Sequence, residues 1–470
     1  MVSSEAAPFA KTGGLADVLG ALPKALVEAG EEVAVVLPLY RQAVVSNPEA
    51  VYDRLRFSVG IHGFSANILE KVDGGVRYFF VQIPELYDRA AFYDEGGREY
   101  PDNDIRFAAL CHAALGVARY LFMPQIVHCH DWQAGLLPVL LRAVYGGHPA
   151  YLGMKTVFTI HNLGYQGLFT ARALADLGLP PGLFRPDLLE FYGQISLMKG
   201  GLVYSDMLTT VSPRYAQEIQ TPSFGFGLDG LLRSRSNSLV GILNGADYSA
   251  WDPATDKNIP KNYDRLHLEG KQECKRALLA EAGLPEDRLD KPLIGIVSRF
   301  AEQKGFDLLT RIPNELAAED LSFMVLGSGD RRLEDFFQRF ASAYPNRVAV
   351  KIGYDDALAH RIEAGSDMFL MPSRYEPCGL NQMYSMRYGT LPVVHATGGL
   401  DDTVDADTGF KFQADDSYEL LAAIRNALQV YRGPDGAQSP RWTQMMDTAM
   451  QRDFSWQVSA ARYIALYRSL

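Results

Sequence analysis

Cysteine is scarce in this sequence of 470 residues, which has only four. They stand at Cys111, Cys129, Cys274 and Cys378, and the intervals between them do not have the short spacing of a metal site. Scattered cysteines of this kind are typical of reduced thiols rather than of a disulfide framework. We therefore expect a cytoplasmic protein.

Long apolar runs and an excess of positive charge are also lacking. No apolar run comes close to the roughly 18 residues that a membrane-spanning helix needs. The first five residues show no basic region followed by an apolar core, so we expect no secretory signal. The net charge of −11 disfavours general attraction to nucleic acid or to an anionic membrane. Any phosphate site must therefore be a local basic pocket.

The length and composition indicate two globular domains. With 47% hydrophobic and 21% charged residues, a chain of 470 residues exceeds one ordinary core. Strand-like apolar segments alternate with helical patterns in both halves, which predicts an α/β protein with two doubly wound parallel sheets. We place the first domain at 1–245, with an antiparallel hairpin inserted at 54–83 and a helix at 188–203. The second domain is expected at 246–452, with a polar linker at 251–267 near its start, and a last helix at 453–470.

A Gly-Gly turn near the start joins a short strand to a helix. The motif Lys-Thr-Gly-Gly-Leu occupies residues 11–15 and is followed by apolar residues at helical spacing. Lys11 therefore lies in a loop at a helix N-terminus, where its ammonium can pair with phosphate; a solvated loop is the alternative. Asp17 either accepts hydrogen bonds from sugar hydroxyls or favours the helix dipole. Either the strand before this loop is short or the chain begins late.

Two consecutive strands of the first half end in polar side chains. Asp131 and Trp132 follow the strand at 126–130, and His161 and Asn162 follow the strand at 155–160. The carboxyl ends of parallel strands meet at the sheet edge where α/β proteins bind ligands. For His161, the alternative is an ordinary core histidine with satisfied hydrogen bonds.

Two further features of the first half admit more than one interpretation. His128 and His130 share a face of the strand and, with Asp131, have the residue types of metal ligands, but no further ligand motif accompanies them. The loop at 92–104 combines Tyr93 with carboxylates and glycines, a composition that suits sugars and also ordinary surface loops.

The first strand of the second half ends in two cations. Arg299 closes this strand and Lys304 follows just before a helix. Arginine holds phosphate through two hydrogen bonds and lysine supplies a compact charge, so we interpret the two as a clamp for a departing diphosphate. A surface charge pair is the alternative.

The stretch at 372–400 holds the strongest candidate site. Pro372 ends an apolar strand, which places Glu376 at the carboxyl edge of the second sheet. Cys-Gly-Leu at 378–380 leads into a helical pattern, so unpaired N–H groups are expected beside Glu376. A second strand is followed by Thr-Gly-Gly at 397–399, another turn that can bring N–H groups close to an oxygen-rich ligand. Two anion cradles beside a carboxylate predict a phosphorylated, hydroxyl-rich substrate.

Three of these motifs together resemble the bacterial glycogen synthase and plant starch synthase family. They are Lys-Thr-Gly-Gly-Leu at 11–15, Glu-Pro-Cys-Gly-Leu at 376–380 and Thr-Gly-Gly-Leu at 397–400. The resemblance implies the GT-B glycosyltransferase fold, in which two Rossmann-like domains face each other across a cleft and the C-terminal helix crosses back to the first domain. It also implies glucose transfer from ADP-glucose to the nonreducing end of an α-1,4-glucan, glycogen or a maltooligosaccharide, with retention of configuration. We expect no metal or other cofactor, because Arg299, Lys304 and the backbone N–H groups replace a divalent ion.

The resemblance, together with the patterns above, assigns roles to individual residues. The expected catalytic residues are Asp131, His161, Arg299, Lys304 and Glu376. The expected substrate-binding residues are Lys11, Gly13, Gly14, Asp17, Tyr93, Trp132, Asn162, Asn244, Tyr354, Cys378, Gly379, Leu380, Thr397, Gly398 and Gly399. By resemblance, Tyr93 touches the transferred glucose and Tyr354 stacks on adenine. No residue is nominated as a nucleophile.

Three positions depart from the family pattern. Gln133 stands where bacterial members commonly have His, Asn381 where Thr is common and His395 where Arg is frequent. Two other functions are compatible with the pattern. A phosphorylase of similar fold needs a lysine-bound pyridoxal phosphate, and a noncatalytic glucan-binding protein needs no phosphate clamp.

Overall fold

The computed structural model describes residues 1–43, 45–433 and 438–470. The chain forms two compact units. The first comprises Met1–Gly245 together with Trp456–Leu470, and the second comprises Ala246–Ser455. The main sheet of the first unit is mixed and that of the second unit is parallel.

The strands of the first unit lie in the following places. They are β1 (Ala34–Pro38), β2 (Glu49–Val59), β3 (His62–Asp73), β4 (Val76–Gln82), β5 (Asp94–Glu95), β6 (Arg98–Glu99), β7 (Ile126–His130), β8 (Lys155–Ile160), β9 (Leu168–Thr170), β10 (Glu190–Phe191), β11 (Gln194–Ser196), β12 (Met207–Thr210) and β13 (Leu239–Gly241).

The main sheet of this unit has two four-stranded parts, in the orders β13-β12-β8-β7 and β1-β4-β3-β2. Val2 joins them, because it forms parallel bridges with both Val36 and Cys129. The first part is parallel throughout. In the second part β2 pairs antiparallel with β3, β3 pairs antiparallel with β4, and β4 pairs parallel with β1. The hairpin expected at 54–83 is therefore a three-stranded antiparallel insertion, β2 to β4, which begins at Glu49.

The helices of the first unit cover this sheet. They are α1 (Gly14–Glu28), α2 (Pro84–Tyr87), α3 (Asn103–Val117), α4 (Asp131–Ala134), α5 (Leu136–Val139), α6 (Ala173–Asp176), α7 (Leu197–Tyr204), α8 (Pro213–Glu218) and α9 (Asp229–Ser234). The helix predicted over 188–203 is wrong in its first half, where β10 and β11 form a hairpin and only α7 is helical.

The core helix α3 corrects the expectation about apolar runs. Together with the π-helical turn Ala118–Phe122 it is long and apolar enough to cross a membrane by length and composition. However, 67% of its most apolar window is buried inside the protein, which is typical of the core helix of a globular domain.

The second unit contains one parallel sheet in the order β16-β15-β14-β17-β18-β19. Its strands are β14 (Leu293–Phe300), β15 (Ser322–Gly329), β16 (Val348–Ile352), β17 (Met368–Met371), β18 (Leu391–His395) and β19 (Phe410–Phe412). Because β15 and β17 flank β14 on opposite sides, the strand order reverses at β14. In doubly wound sheets ligands bind at the carboxyl end of such a reversal.

The helices of the second unit pack on both faces of its sheet. They are α10 (Glu269–Glu281), α11 (Asp307–Thr310), α12 (Pro313–Ala318), α13 (Arg331–Ala343), α14 (Asp356–Gly365), α15 (Asn381–Arg387), α16 (Gly398–Thr403), α17 (Ser417–Tyr431) and α18 (Pro440–Gln451). The segment expected to be a polar linker belongs to this unit, where the Trp251 ring stacks 3.6 Å from that of His360 and 4.4 Å from that of Tyr384.

The last helix, α19 (Trp456–Arg468), packs in the first unit. Its Gln457 Nε2 donates to Glu28 Oε2 of α1 over 3.0 Å. The Tyr467 hydroxyl lies 2.7 Å from His128 Nδ1 in β7. The C-terminal helix thus crosses back to the first unit and reaches the strand that carries the predicted site.

Candidate active site

The site of the first unit begins where β7 and β8 end. Asp131 follows β7 in the left-handed conformation (φ 56°), which is uncommon for a residue with a side chain. Its Oδ1 accepts a 2.8 Å hydrogen bond from the backbone N–H of His161, after β8. The two strand ends are therefore joined by a direct contact, as their positions in the sequence predicted.

Burial changes the proton affinity of both side chains. It raises the pKa of Asp131 to about 7, although hydrogen bonds from the N–H groups of His161 and Asn162 lower this pKa. The nearby Glu5 carboxylate raises the pKa further. Burial lowers the pKa of His161 to about 3. His161 is therefore neutral at pH 7, whereas Asp131 titrates near that pH.

Two more histidines extend this cluster into the core. His130 Nδ1 lies 3.0 Å from His161 Nε2, and the rings of His130 and His128 stack at 4.1 Å. His128 Nε2 lies 2.5 Å from Thr159 Oγ1. Burial holds the pKa of His128 and His130 well below the ordinary value. Among the described residues, no group of three His, Cys, Asp or Glu side chains is arranged to hold a metal ion.

Glu5 is a residue of this site that the sequence analysis missed. Its buried carboxylate accepts hydrogen bonds from the Thr12 N–H (2.5 Å), the Thr12 hydroxyl (2.6 Å) and the Tyr93 hydroxyl (2.5 Å). A longer bond of 3.3 Å comes from the Gly13 N–H. The signal available was a carboxylate directly after the first extended segment, at the same sheet edge as Asp131. Glu5 thus fixes the Gly-Gly turn and Tyr93.

The Lys11 ammonium, predicted to contact phosphate, is paired with a carboxylate in this structure. Its Nζ donates to Asp17 Oδ1 over 2.6 Å, and the lysine side chain is 54% exposed. In contrast, a Cβ added at Gly13 or Gly14 would meet no atom within 4 Å. Internal packing does not explain these two glycines, and the open space in front of them fits the expected close approach of a ligand.

The other predicted residues of the first unit differ in how they are placed. Trp132 is buried, with its ring 5.0 Å from that of Phe107, so it supports the site by packing. Asn162 Oδ1 accepts from the Gly164 N–H over 3.0 Å. Asn244 and Gln133 are buried, and the described residues offer no hydrogen-bond partner to the Oδ1 of the first or the Oε1 of the second.

The second unit brings Lys304 and Glu376 together at the carboxyl edge of its sheet. Lys304 Nζ donates to Glu376 Oε2 over 2.6 Å, and Ser373 Oγ donates to the same oxygen over 2.9 Å. The Glu376 side chain is 9% exposed and that of Lys304 18%. Together with Arg299, these groups line a cavity of about 190 Å³ at the strand-order reversal.

The Arg299 side chain is the unpaired cation of this cavity. It follows Ser298 in β14 and is exposed. Within residues 1–43, 45–433 and 438–470, no hydrogen bond or ion pair engages its guanidinium. It is therefore available for an anion, as the sequence predicted for a clamp.

The start of α15 forms another wall of the cavity. Gly379, Leu380 and Asn381 line it, and the first N–H groups of a helix have no acceptor inside the helix. Cys378 is buried beside them. This arrangement matches the first of the two predicted anion cradles.

The second predicted cradle, at 397–399, is built differently. The Gly399 N–H donates to the Glu376 carbonyl over 3.1 Å, so this donor is already used. A Cβ at Gly398, which has φ 46°, would lie 1.9 Å from that carbonyl oxygen. Thr397 is buried at the start of α16. The glycines here allow α16 to pack against the Glu376 loop, which is a structural role that the motif alone did not reveal.

Two of the departures from the family pattern make hydrogen bonds beside this cavity, His395 to the Glu376 loop and Asn381 to β14. His395 places Nδ1 2.8 Å from the Ser373 carbonyl and Nε2 3.1 Å from the Gln413 carbonyl. Asn381 Nδ2 donates to the Val297 carbonyl over 3.2 Å. Tyr354, the predicted adenine contact, is 86% exposed after β16.

Both halves of the chain are similar to known proteins. Residues 1–234 match the family described as "Starch synthase catalytic domain", and residues 291–430 match "Glycosyl transferases group 1". A glycogen synthase of Koribacter versatilis is 48% identical over 480 residues, covering 99% of this chain and 96% of that protein. One of Anaeromyxobacter dehalogenans is 50% identical over 477 residues, covering 100% and 98%.

Solved structures agree with this assignment. The catalytic domain of starch synthase IV from Arabidopsis thaliana, bound to ADP and acarbose, matches with a TM-score of 0.87 and 33% identity over 100% of this chain and 98% of that one. Sucrose-phosphate synthase from Thermosynechococcus elongatus, with 17% identity and a TM-score of 0.60 over 100% and 97%, shares the fold alone. The fold is thus the GT-B glycosyltransferase fold, and the chain belongs to the glycogen and starch synthase family.

Proposed function

We propose that this glycosyltransferase transfers glucose from ADP-glucose to the nonreducing end of an α-1,4-glucan with retention of configuration. The observation that carries the proposal is the Lys304–Glu376 ion pair beside the unpaired Arg299 in one cavity. Support for the donor comes from the starch synthase IV structure, which is bound to ADP. The full-length similarity to glycogen synthases supports the glucan acceptor.

The second unit is suited to the leaving group. As the bond from the anomeric carbon to the diphosphate breaks, negative charge grows on the phosphate oxygens, and fixed cations at that position lower the barrier. Arg299 can bind a phosphate through two hydrogen bonds, and Lys304 adds a point charge. Glu376 lies 2.6 Å from Lys304 and places its negative charge where an oxocarbenium-like carbon can be stabilised.

The first unit is suited to sugar hydroxyls. Neutral His161 both donates and accepts hydrogen bonds, and the Asp131 carboxylate fixes the backbone of the His161 loop. Glu5 and Tyr93 lie at the same edge and are joined to each other. We assign these groups to positioning the glucose and the acceptor, which lowers the barrier by orientation.

The remaining features of the proposal concern the nucleotide, metal and location. The exposed Tyr354 ring stacks on the adenine, and Arg299, Lys304 and the N–H groups at the start of α15 replace a divalent ion. We place the enzyme in the cytoplasm, where its four buried cysteines remain reduced.

The test is an incubation with maltohexaose and either ADP-glucose or UDP-glucose, with released nucleotide as the readout. We expect ADP release that requires both substrates and is unchanged by a chelator. Faster release from UDP-glucose would contradict the donor assignment. Activity that is lost in chelator and restored by magnesium or manganese would contradict metal independence. Glucose 1-phosphate formation from glucan and phosphate, with pyridoxal absorbance, would establish the phosphorylase alternative.

A further inference from the structure

Three exposed aromatic rings lie on neighbouring loops of the first unit. Tyr165, Tyr192 and Phe226 are 61%, 81% and 42% exposed. Tyr165 comes four residues after His161, in the loop that follows β8. We call Tyr165, Tyr192 and Phe226 the aromatic rim.

Direct contacts hold the three loops of the aromatic rim together. Gln166 Nε2, next to Tyr165, donates to the Phe226 carbonyl over 3.0 Å. A Cβ added at Gly227 would lie 3.1 Å from the Tyr192 ring. The strand β9, which follows the Tyr165 loop, pairs with β11 of the Tyr192 hairpin. The rim is therefore one surface, and it continues from the loop that carries His161.

The backbone under two of these rings is unusual. Tyr192 and Gly193 (φ 49° and 81°) form the two-residue turn between β10 and β11. Phe226 and Gly227 (φ 48° and 83°) are the central residues of a turn closed by a 2.7 Å bond from the Leu228 N–H to the Gly225 carbonyl. Turns with positive φ at both central residues favour Asn, Asp or Gly at the first position.

The same chain uses Gly-Gly at its other turns of this kind. Residues 74–75 join β3 to β4 and residues 96–97 join β5 to β6, each with positive φ at both positions. Large side chains in the left-handed conformation are strained, and such strain is concentrated at functional sites. Since Tyr192 is mostly exposed, internal packing does not account for its ring.

We propose that the aromatic rim binds the α-1,4-glucan chain of the acceptor, with successive sugar rings stacked on the aromatic faces. The inference rests on the proposed function and extends its acceptor site beyond His161. The C–H faces of a pyranose are apolar and match aromatic rings, while its hydroxyls need polar partners. The net charge of −11 disfavours an anionic partner on this surface.

The sharpest test is Tyr192→Gly. This change makes the turn Gly-Gly, as at 74–75, so it removes the ring while relieving the backbone, and the melting temperature should be kept or raised. We expect the dissociation constant for maltohexaose, measured by calorimetry without a sugar nucleotide, to rise about fivefold or more, since stacked aromatic contacts contribute on this scale. The KM for glycogen should rise as well, and the affinity for ADP should not change.

Matched variants separate the ring from other effects. Tyr192→Phe should bind maltohexaose like the wild type, and Phe226→Gly should weaken binding as Tyr192→Gly does. Tyr120→Ala removes another exposed tyrosine of the same unit, away from the rim, and should change nothing. Wild-type maltohexaose binding in both glycine variants would overturn the inference. Rim-dependent binding in a protein that releases no nucleotide would support the rim and refute the proposed transfer reaction.

Discussion

In the first unit the histidines of the candidate site are buried and uncharged, whereas in the second unit an ion pair lies beside an exposed guanidinium. Burial makes His161 neutral and brings the pKa of Asp131 to about 7. Lys304 and Glu376 form their ion pair at the cavity that Arg299 also lines. We propose from this difference that one sheet edge binds neutral hydroxyls and the other binds the charged phosphates.

The largest effects are expected from removing the cations of the second unit. Arg299→Ala and Lys304→Ala should each lower kcat by about 100- to 1,000-fold, or about 2.7–4 kcal/mol, because each removes charge from the leaving diphosphate. The fold should be intact, as measured by circular dichroism. Arg332→Ala removes a guanidinium whose side chain is 90% exposed in the same unit and should leave kcat unchanged. Near-normal turnover in both cavity variants would show that the clamp is misassigned.

A somewhat smaller loss of turnover is expected at Glu376, the anionic partner of Lys304 in the second unit. Glu376→Gln keeps the size and one acceptor oxygen but removes the charge. We expect turnover to fall on the order of a hundredfold, with a smaller change in donor affinity. Glu376→Ala should lose more, because it also removes the hydrogen bond from Ser373. Turnover and ADP-glucose binding are measured separately.

The comparison of the two Glu376 variants has one decisive outcome. If both only weaken donor binding and reach wild-type turnover at saturating ADP-glucose, Glu376 is a binding residue and has no catalytic role.

The smallest effect is a change in stability at Asp131, in the first unit. The folded-state pKa of about 7 lies above the ordinary value of 3.8. The ionised carboxylate therefore destabilises the fold, and this cost is absent below pH 4, grows from pH 4 to pH 7 and is complete above pH 7. Asp131→Asn should be more stable than the wild type by about 1–2 kcal/mol at pH 8 and equally stable near pH 4. Asparagine also tolerates the left-handed backbone at this position.

Denaturant unfolding at the two pH values measures this difference, and kcat is measured in parallel. Despite its stability, Asp131→Asn should have lower kcat, and the fall in wild-type kcat below pH 7 should be missing in the variant. A variant that loses stability at pH 8 would show that the carboxylate is stabilised by its donors and not destabilised by burial.

The parallel strands and the residues at their carboxyl ends could be predicted from the sequence because both signals are local. An apolar run followed by Asp131, His161 or Arg299 marks the end of a strand, and sheet topology then places these residues at an edge. The pairing of Lys304 with Glu376 follows from the same rule, since β14 and β17 are neighbours.

Other features depend on contacts that no local pattern reports. Glu5 lies in the site because the Gly-Gly turn and Tyr93 fold over it. Gly398 and Gly399 carry α16 against the Glu376 loop, which a motif of small residues does not distinguish from an anion cradle. The residues of the β10–β11 hairpin lie in a stretch of helical spacing, and their strand pairing with β9 overrides it. The length of the apolar stretch in α3 was underestimated from the sequence, because polar residues interrupt its run of apolar residues.

The division of roles between the two units is tested most directly by titrating ADP and maltohexaose separately into Lys304→Ala and Asp131→Asn in a calorimeter. We expect Lys304→Ala to weaken ADP binding by about tenfold or more and to leave maltohexaose binding unchanged, since a phosphate loses a charged partner. Asp131→Asn should weaken maltohexaose binding and leave ADP binding unchanged. The opposite pattern, or an equal loss of affinity for both ligands in each variant, would contradict this division of roles between the two units.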